Sequence, residues 1–593
     1  MLKKRIPESH WTKLSVLALA SALTACGGSS HDAPDALQVY RDQKLAWAAC
    51  DAALLDSEQT QLAEQLGSRM QCVKMRVPKD WAKPENGDIQ IAVLRVAAGD
   101  SKARRGAIAF NPGGPGEEGL TTGLDFFSVF SISNSASEQG AAQLRLVNEY
   151  DFVGFSPRGV GASTALKCET DEAERFVDQS PTGALTPTNW DNAMHNSREI
   201  ANACRSNPLT PYINTDATAR DLDLLRELLG DAKLNYFGYS YGTWLGGWYA
   251  SLFPDKVGRM VLDSSEDFTS THEATTLAMA PARARIFEQV LIPYAVRHAD
   301  FFNLGNNASE INILIQSLSP QMQDVLTDVL GDKTYKSRIA DNYLGLIGAA
   351  RGLDSVLATM SHPENAGAVK AALATHTFIP GNAERDALVR TGAFQIYAAA
   401  YRPRWLARED EPAEFGAVLW AVNCNDTPAT TDEAIWFSKV KALAQQAPME
   451  FSIGLTNPCA TWGGPSVTKP NVTAMSGLDI LMVQSQFDGA TPLEGADRYF
   501  AALGAAKRIY VPNEYDHAVF PYADPTYTDT CVDSGVVRYL LGESPKQRET
   551  ICKAKPLPQD PKVQTAAIPM YLNPEQAQSR IDALKDKLST SRR

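Results

Sequence analysis

The chain has 593 residues, of which 44% are hydrophobic and 21% charged. That composition excludes a disordered polymer and a bundle of membrane spans, and the length suffices for one large core or for several domains. With 56 Lys and Arg against 69 Asp and Glu the net charge is −13, and no long basic run interrupts the body of the chain, so no nucleic-acid-binding surface is expected.

In chain order the first feature is a leader. A basic start, "MLKKRIPESHWTK", precedes a short apolar run, "LSVLALASALTA", which closes on "LTAC" at Leu23–Cys26. A run this short does not span a bilayer and reads as a secretion signal, and its end resembles a bacterial lipobox, where the cysteine after the cut carries lipid. Residues 1–25 are therefore expected to be a lipoprotein signal peptide and residues 26–45 a tether, with membrane attachment through Cys26; an ordinary signal peptide is the alternative. Gly27, rather than an aspartate, favours the outer membrane of a Gram-negative envelope.

Eight cysteines remain once Cys26 is set aside, an even set that suits disulfides in an exported chain. They fall as near neighbours, so Cys50–Cys72, Cys168–Cys204, Cys424–Cys459 and Cys531–Cys552 is the simplest pairing, with buried free thiols as the alternative. None forms CxxC and none lies in a His-rich cluster, so neither a metal nor a redox cofactor is expected.

Short apolar runs alternate with helical segments through the body, the pattern of an α/β fold with a mostly parallel sheet. Strands are expected at 89–96, 107–112, 150–156, 235–240, 258–264, 479–486 and 507–513. Residues 215–230 set Leu222, Leu225, Leu228 and Leu229 on one helical face, with Thr215 or Asp216 as cap and Gly230 as stop. From about Glu266 to Gln445 the strand signals give way to helical ones, which reads as a cap inserted over the carboxyl edge of the sheet, where such sheets bind ligands. The expected division is a first core segment at 46–265, a helical cap at 266–445, a second core segment at 446–555 and a tail at 556–593 that ends in a polar helix.

Gly238-Tyr239-Ser240-Tyr241-Gly242 matches GxSxG at the point where a strand passes into a small-residue helix, the context of a nucleophile elbow. A serine hydroxyl needs a base, and the base an orienting carboxylate, in the order Ser, Asp, His. Of eight histidines, His10 and His31 lie in the leader and tether, His195 precedes the serine, and His272, His298, His362 and His376 fall in the cap. His517 alone follows a late core strand, and Asp488 follows the strand before it; Asp516 and Glu514 are rivals that read as solvated loop charges. Thr491 either bonds within the acid loop or caps the next helix. "NPGGPGEEG" at 111–119 can aim backbone N–H groups inward, so the oxyanion donors are expected from Gly114 and Tyr241. Tyr239 has no role beyond packing.

Taken together, "NPGGPG", "DFVGFSPRGVGAS", "GYSYGTWLGGWYASLFPDKVGRMVLD", "DGATP" and "DHAVF…CVDSGVVRYLLGESP" resemble the tripeptidyl aminopeptidases and proline iminopeptidase relatives of the α/β-hydrolase superfamily. The resemblance implies an α/β-hydrolase fold with an inserted helical cap, and Ser240, Asp488 and His517 as the triad. Asn111-Pro112 stands where proline iminopeptidases typically have histidine, which favours the tripeptidyl branch. An aminopeptidase also needs a carboxylate for the substrate ammonium, and Glu118, Glu266, Asp267 and Asp426 are the candidates near the cleft. Peptides with a free N-terminus are the expected substrates. A carboxylesterase with the same triad is the alternative, and a non-catalytic surface-binding protein a more distant one.

Overall fold

A computed structural model of the chain describes residues 36–331, 340–406, 412–558 and 569–589. The leader with Cys26 lies outside the described residues, as do parts of the tether and tail. Nine strands form one sheet: β1 (Met70–Pro78), β2 (Asp88–Val96), β3 (Ala107–Asn111), β4 (Asp151–Phe155), β5 (Leu234–Ser240), β6 (Val257–Ser265), β7 (Ile480–Ser485), β8 (Lys507–Val511) and β9 (Glu549–Ile551). Their order is β1-β2-β4-β3-β5-β6-β7-β8-β9. β1 and β2 pair antiparallel, as do β2 and β4, and every other pairing is parallel. This is the α/β-hydrolase fold.

Burial explains which strands the sequence announces. β3, β4, β5 and β7 are buried along their whole length, as parallel strands covered on both faces must be, so each is a continuous apolar run. β1 alternates buried Val73, Met75 and Val77 with exposed Lys74 and Arg76, and β9 has only three residues; neither stands out as a run. The strand order reverses between β3 and β5, which places a crevice at their carboxyl ends.

The helices that position the site are α1 (Thr122–Ser131), α2 (Thr215–Leu228), α3 (Tyr241–Leu252), α4 (His272–Ile286), α5 (Ala417–Asp426), α6 (Leu493–Ala502), α7 (Cys531–Leu540) and α8 (Pro574–Ser589). α2, α3 and α6 contribute to one core cluster, and α1, α7 and α8 to another. The α2 cap is Asn214, whose side chain accepts the Ala217 N–H at 2.9 Å, rather than Thr215 or Asp216; Gly230 lies beyond the end with φ +76°. The tail helix α8 is amphipathic, and Ala577, Ile581, Leu584 and Leu588 are buried in the core.

Helices dominate from His272 to Gln446, but the cap draws on a second stretch that the expected 46–265 boundary assigns to the core. Cys168–Ala173 pairs antiparallel with Pro412–Phe415, and Trp190, Ala193 and Met194 of the helix Pro187–Ser206 share a hydrophobic cluster with Trp436, Val440 and Phe451. The polar run "CETDEAERFVDQSPTGALTP" hides this excursion from periodicity. No helix among the described residues is long and apolar enough to cross a membrane.

The cysteines pair sequentially, as Cys50–Cys72, Cys168–Cys204, Cys424–Cys459 and Cys531–Cys552, with Cα–Cα separations of 4.9, 4.4, 4.9 and 5.7 Å. Cys424–Cys459 closes a separation of 35 residues and ties α5 to the segment leading back to the core. Replacing both of these cysteines with serine should lower unfolding stability in a denaturant titration by about 3–4 kcal/mol; a change below about 1 kcal/mol would show that the bridge constrains little.

Candidate active site

β5 ends at Ser240 and α3 begins at the next residue. That one-residue reversal holds Ser240 at φ +54° and ψ −123°, a region that costs a residue with a Cβ about 1–3 kcal/mol and persists only where the surroundings over-determine it. Small residues allow the close packing that does so. A Cβ on Gly242 would lie 2.8 Å from Asn111 Oδ1, and α3 is buried from Tyr241 to Ser251. Tyr239 has a role beyond packing, because its hydroxyl donates to Phe520 O at 2.9 Å and so links the strand before Ser240 to the histidine loop.

Asp488 follows β7 and His517 follows β8, and both are buried. His517 Nδ1 lies 3.0 Å from each Asp488 carboxylate oxygen. The carboxylate is held in turn: Oδ1 accepts the N–H groups of Ala490 at 2.9 Å and Thr491 at 2.7 Å, and Oδ2 accepts the Thr491 hydroxyl at 2.9 Å. Thr491 thus bonds within the acid loop; no side chain caps α6. Burial would raise the Asp488 carboxyl, but the facing His517 and these hydrogen bonds outweigh it and hold it below the usual range. The rivals are not solvated charges. Glu514 and Asp516 are both buried, and Glu514 folds the loop by accepting the N–H groups of Tyr515 and Asp516 and the Tyr522 hydroxyl.

The glycine loop after β3 lies directly over the elbow. A Cβ on Gly113 would meet Tyr239 O at 2.8 Å, Ser240 Cβ at 2.9 Å and Tyr241 N at 3.5 Å. Gly113 has φ +113° and donates its own N–H to Asn111 Oδ1 at 3.1 Å. The Gly114 amide follows in the same loop, and the Tyr241 amide stands at the head of α3.

The four candidate ammonium acceptors each have partners within the protein. Glu118 Oε1 accepts the Ser156 hydroxyl at 2.7 Å and Leu120 N–H at 2.8 Å, tying the glycine loop to the loop after β4. Asp267 accepts the Thr269 N–H and an Arg498 Nε–H at 2.8 Å. Glu266 and Asp426 clasp a buried histidine between them: His272 Nδ1 is 3.0 Å from Glu266 Oε1, and Nε2 is 3.3 Å from Asp426 Oδ2. Asp426 also accepts Thr215 N–H at 2.9 Å and Trp244 Nε1–H at 3.2 Å. The Thr243 hydroxyl donates to Ser240 O at 2.6 Å and accepts Glu266 N–H at 2.9 Å. A polar junction thus connects the roots of α4 and α5 to the elbow. No sequence spacing announces it, since its members lie on four separated segments.

Family models match two stretches of the chain: residues 106–291 match the alpha/beta hydrolase fold and residues 444–552 match TAP-like protein. The tripeptidyl aminopeptidase of Streptomyces coelicolor is 31% identical over 86% of this chain and 88% of its own length. The chain belongs to the tripeptidyl aminopeptidase family of α/β-hydrolases. Two further relatives in Mycobacterium tuberculosis are the serine protease Hip1, 26% identical over 90% of this chain and 95% of its own, and carboxylesterase B, 27% identical over 84% and 87%. As a member of this tripeptidyl aminopeptidase family it is a serine peptidase or hydrolase, and the interval between the two model matches is the helical layer.

His272 offers a test of the junction. Burial alone would lower its pKa, but Glu266 and Asp426 outweigh that and raise it to about 9. A raised folded-state pKa stabilises fully below the unfolded value of about 6.5 and ceases to as pH rises through about 9. Between those values the melting temperature should fall further in the wild type than in His272→Gln; equal falls would show that no stabilisation resides in the charged ring.

Proposed function

We propose that this protein is an exported serine aminopeptidase that releases short peptides, tripeptides above all, from free N-termini through an acyl-enzyme. The observation that carries the reading is the conjunction at one sheet edge of a strained Ser240, the glycine loop over it and the buried His517–Asp488 pair, in a chain whose relatives include named tripeptidyl aminopeptidases.

In this reading Ser240 Oγ attacks the carbonyl carbon of the scissile peptide bond as His517 Nε2 takes its proton. Asp488 keeps the Nδ1–H tautomer and stabilises the imidazolium that forms. The carbonyl oxygen becomes an oxyanion facing the N–H groups of Gly114 and Tyr241, where loss of one such donor typically costs about 3–4 kcal/mol. The tetrahedral species collapses, the C–N bond breaks, and His517 gives the proton to the leaving amine. Water, deprotonated by the same histidine, then cleaves the ester and restores the Ser240 hydroxyl.

The carboxylesterase reading draws support from the relative named carboxylesterase B. A free tripeptidyl amide, its N-blocked analogue and a short acyl ester separate the two. Cleavage of the free amide in strong preference to the blocked one is expected, and turnover of the ester alone would overturn the peptidase reading. Ser240→Ala should abolish turnover of whichever substrate is best.

Export rests on the "LTAC" leader and the four disulfides. Labelled palmitate fed to bacterial cells expressing the full chain should enter the wild type and be absent from Cys26→Ser. Equal labelling of both would remove Cys26 as the lipid site.

A further inference from the structure

Behind the histidine loop lies a set of buried polar groups that the proposed chemistry does not use. Residues 518–523 follow an irregular path in which Ala518 has φ +60°. Their N–H groups are held by side chains: Ala518 donates to Ser264 Oγ at 2.8 Å, Val519 and Phe520 to Asp263 at 2.9 and 2.7 Å, and Tyr522 and Ala523 to Asp533 at 3.2 and 2.7 Å. Two of their carbonyls are held from the tail of the chain. Lys585 of α8 donates its ammonium to Ala518 O and, at 2.6 Å, to Val519 O.

Lys585 is only 7% exposed. A buried ammonium is costly unless it meets acceptors and opposite charge, and here it meets both. Burial pushes the carboxyls of Asp263 and Asp533 up to about 6, and Lys585 acts on each in the opposite direction, with Lys555 adding to the effect at Asp533. One cation of the tail thus completes the cage that holds the two residues after His517.

The same helix reaches the other side of the candidate site. Lys587 bonds Asp125 Oδ2 at 2.7 Å and Thr121 Oγ1 at 2.5 Å, and Arg580 donates to Ser128 O at 2.6 Å. Thr121 immediately precedes α1, the helix that follows the glycine loop, and Asp125 and Ser128 lie on it. α8 therefore spans from the segment after the histidine to the helix after the oxyanion loop.

We propose that Lys585 braces the catalytic machinery from α8 and is a positioning residue for His517, fixing the 518–519 carbonyls so that the imidazole keeps its angle to Ser240. The inference rests on Ser240, Asp488 and His517 being the triad. Displacements of about 1 Å in reacting groups can cost on the order of a hundredfold in rate, so a loosened brace should register in turnover more than in binding.

The test uses full-length Lys585→Met, Lys585→Arg and Ile581→Ala, with melting temperature, the rate of Ser240 labelling by a fluorophosphonate, and kcat and KM on the best substrate. Ile581 packs in the core from the same helix and has no side-chain polar group to bond the loop. Lys585→Met should label on the order of tenfold or more slowly, with kcat reduced in parallel and KM nearly unchanged; Lys585→Arg, which keeps a cationic donor, should recover part of the loss. Ile581→Ala should lose stability but, below its transition, label at close to the wild-type rate. Folded Lys585→Met with wild-type labelling, or an equal slowing in Ile581→Ala, overturns the brace. If Lys585→Met does not fold, the shorter, neutral Lys585→Gln decides: slowing at an unchanged melting temperature supports the proposal, and wild-type labelling overturns it. A wild type that does not label refutes the triad reading instead, a distinct outcome.

Discussion

The turn at Ser240 is the constraint around which the rest is arranged. A buried strand becomes a buried helix in a single residue, and a residue with a Cβ is held at positive φ to do so. Such a backbone persists only under pressure from all sides. Here the glycine loop presses from β3, the Thr243 hydroxyl anchors Ser240 O from within the turn, and Tyr239 fixes the strand to the histidine loop. The strained turn and the loops that converge on it are one structure.

Two buried histidines with carboxylate partners lie near this turn, and their surroundings assign them different work. His272 sits between two carboxylates, one on each ring nitrogen, an arrangement that raises its pKa and occupies both nitrogens within the junction. His517 meets Asp488 through Nδ1, and that carboxylate is itself fixed by Thr491 and Ala490. A carboxylate anchored at one ring nitrogen orients the imidazole for proton transfer at the other.

What the sequence made legible follows from burial. The fully covered strands β3, β4, β5 and β7 appear as apolar runs, and the candidate triad stands out because Ser240 ends β5, Asp488 follows β7 and His517 follows the partly covered β8 in a fixed order. The half-covered β1 and the three-residue β9 carried no comparable signal. Carboxylates were harder still: Glu266, Asp267 and Asp426 carry no local mark of whether they face a substrate or a neighbouring side chain, and their partners His272, Arg498 and Thr215 lie on other segments. Lys585 reads as one more polar residue of a polar helix, although the apolar residues at 577, 581, 584 and 588 already define the face it borders.

The two origins of the cap bear on how the site can open. The chain leaves the core once after β4 and again after β6, and in the sheet these two strands flank β3 and β5, whose ends carry the glycine loop and the elbow. The excursions are then sewn to each other by the ribbon between Cys168–Ala173 and Pro412–Phe415. A lid on one hinge can swing clear of what it covers. A layer rooted on both sides of those strand ends and stitched across is held to the core at two places, which restricts such a swing.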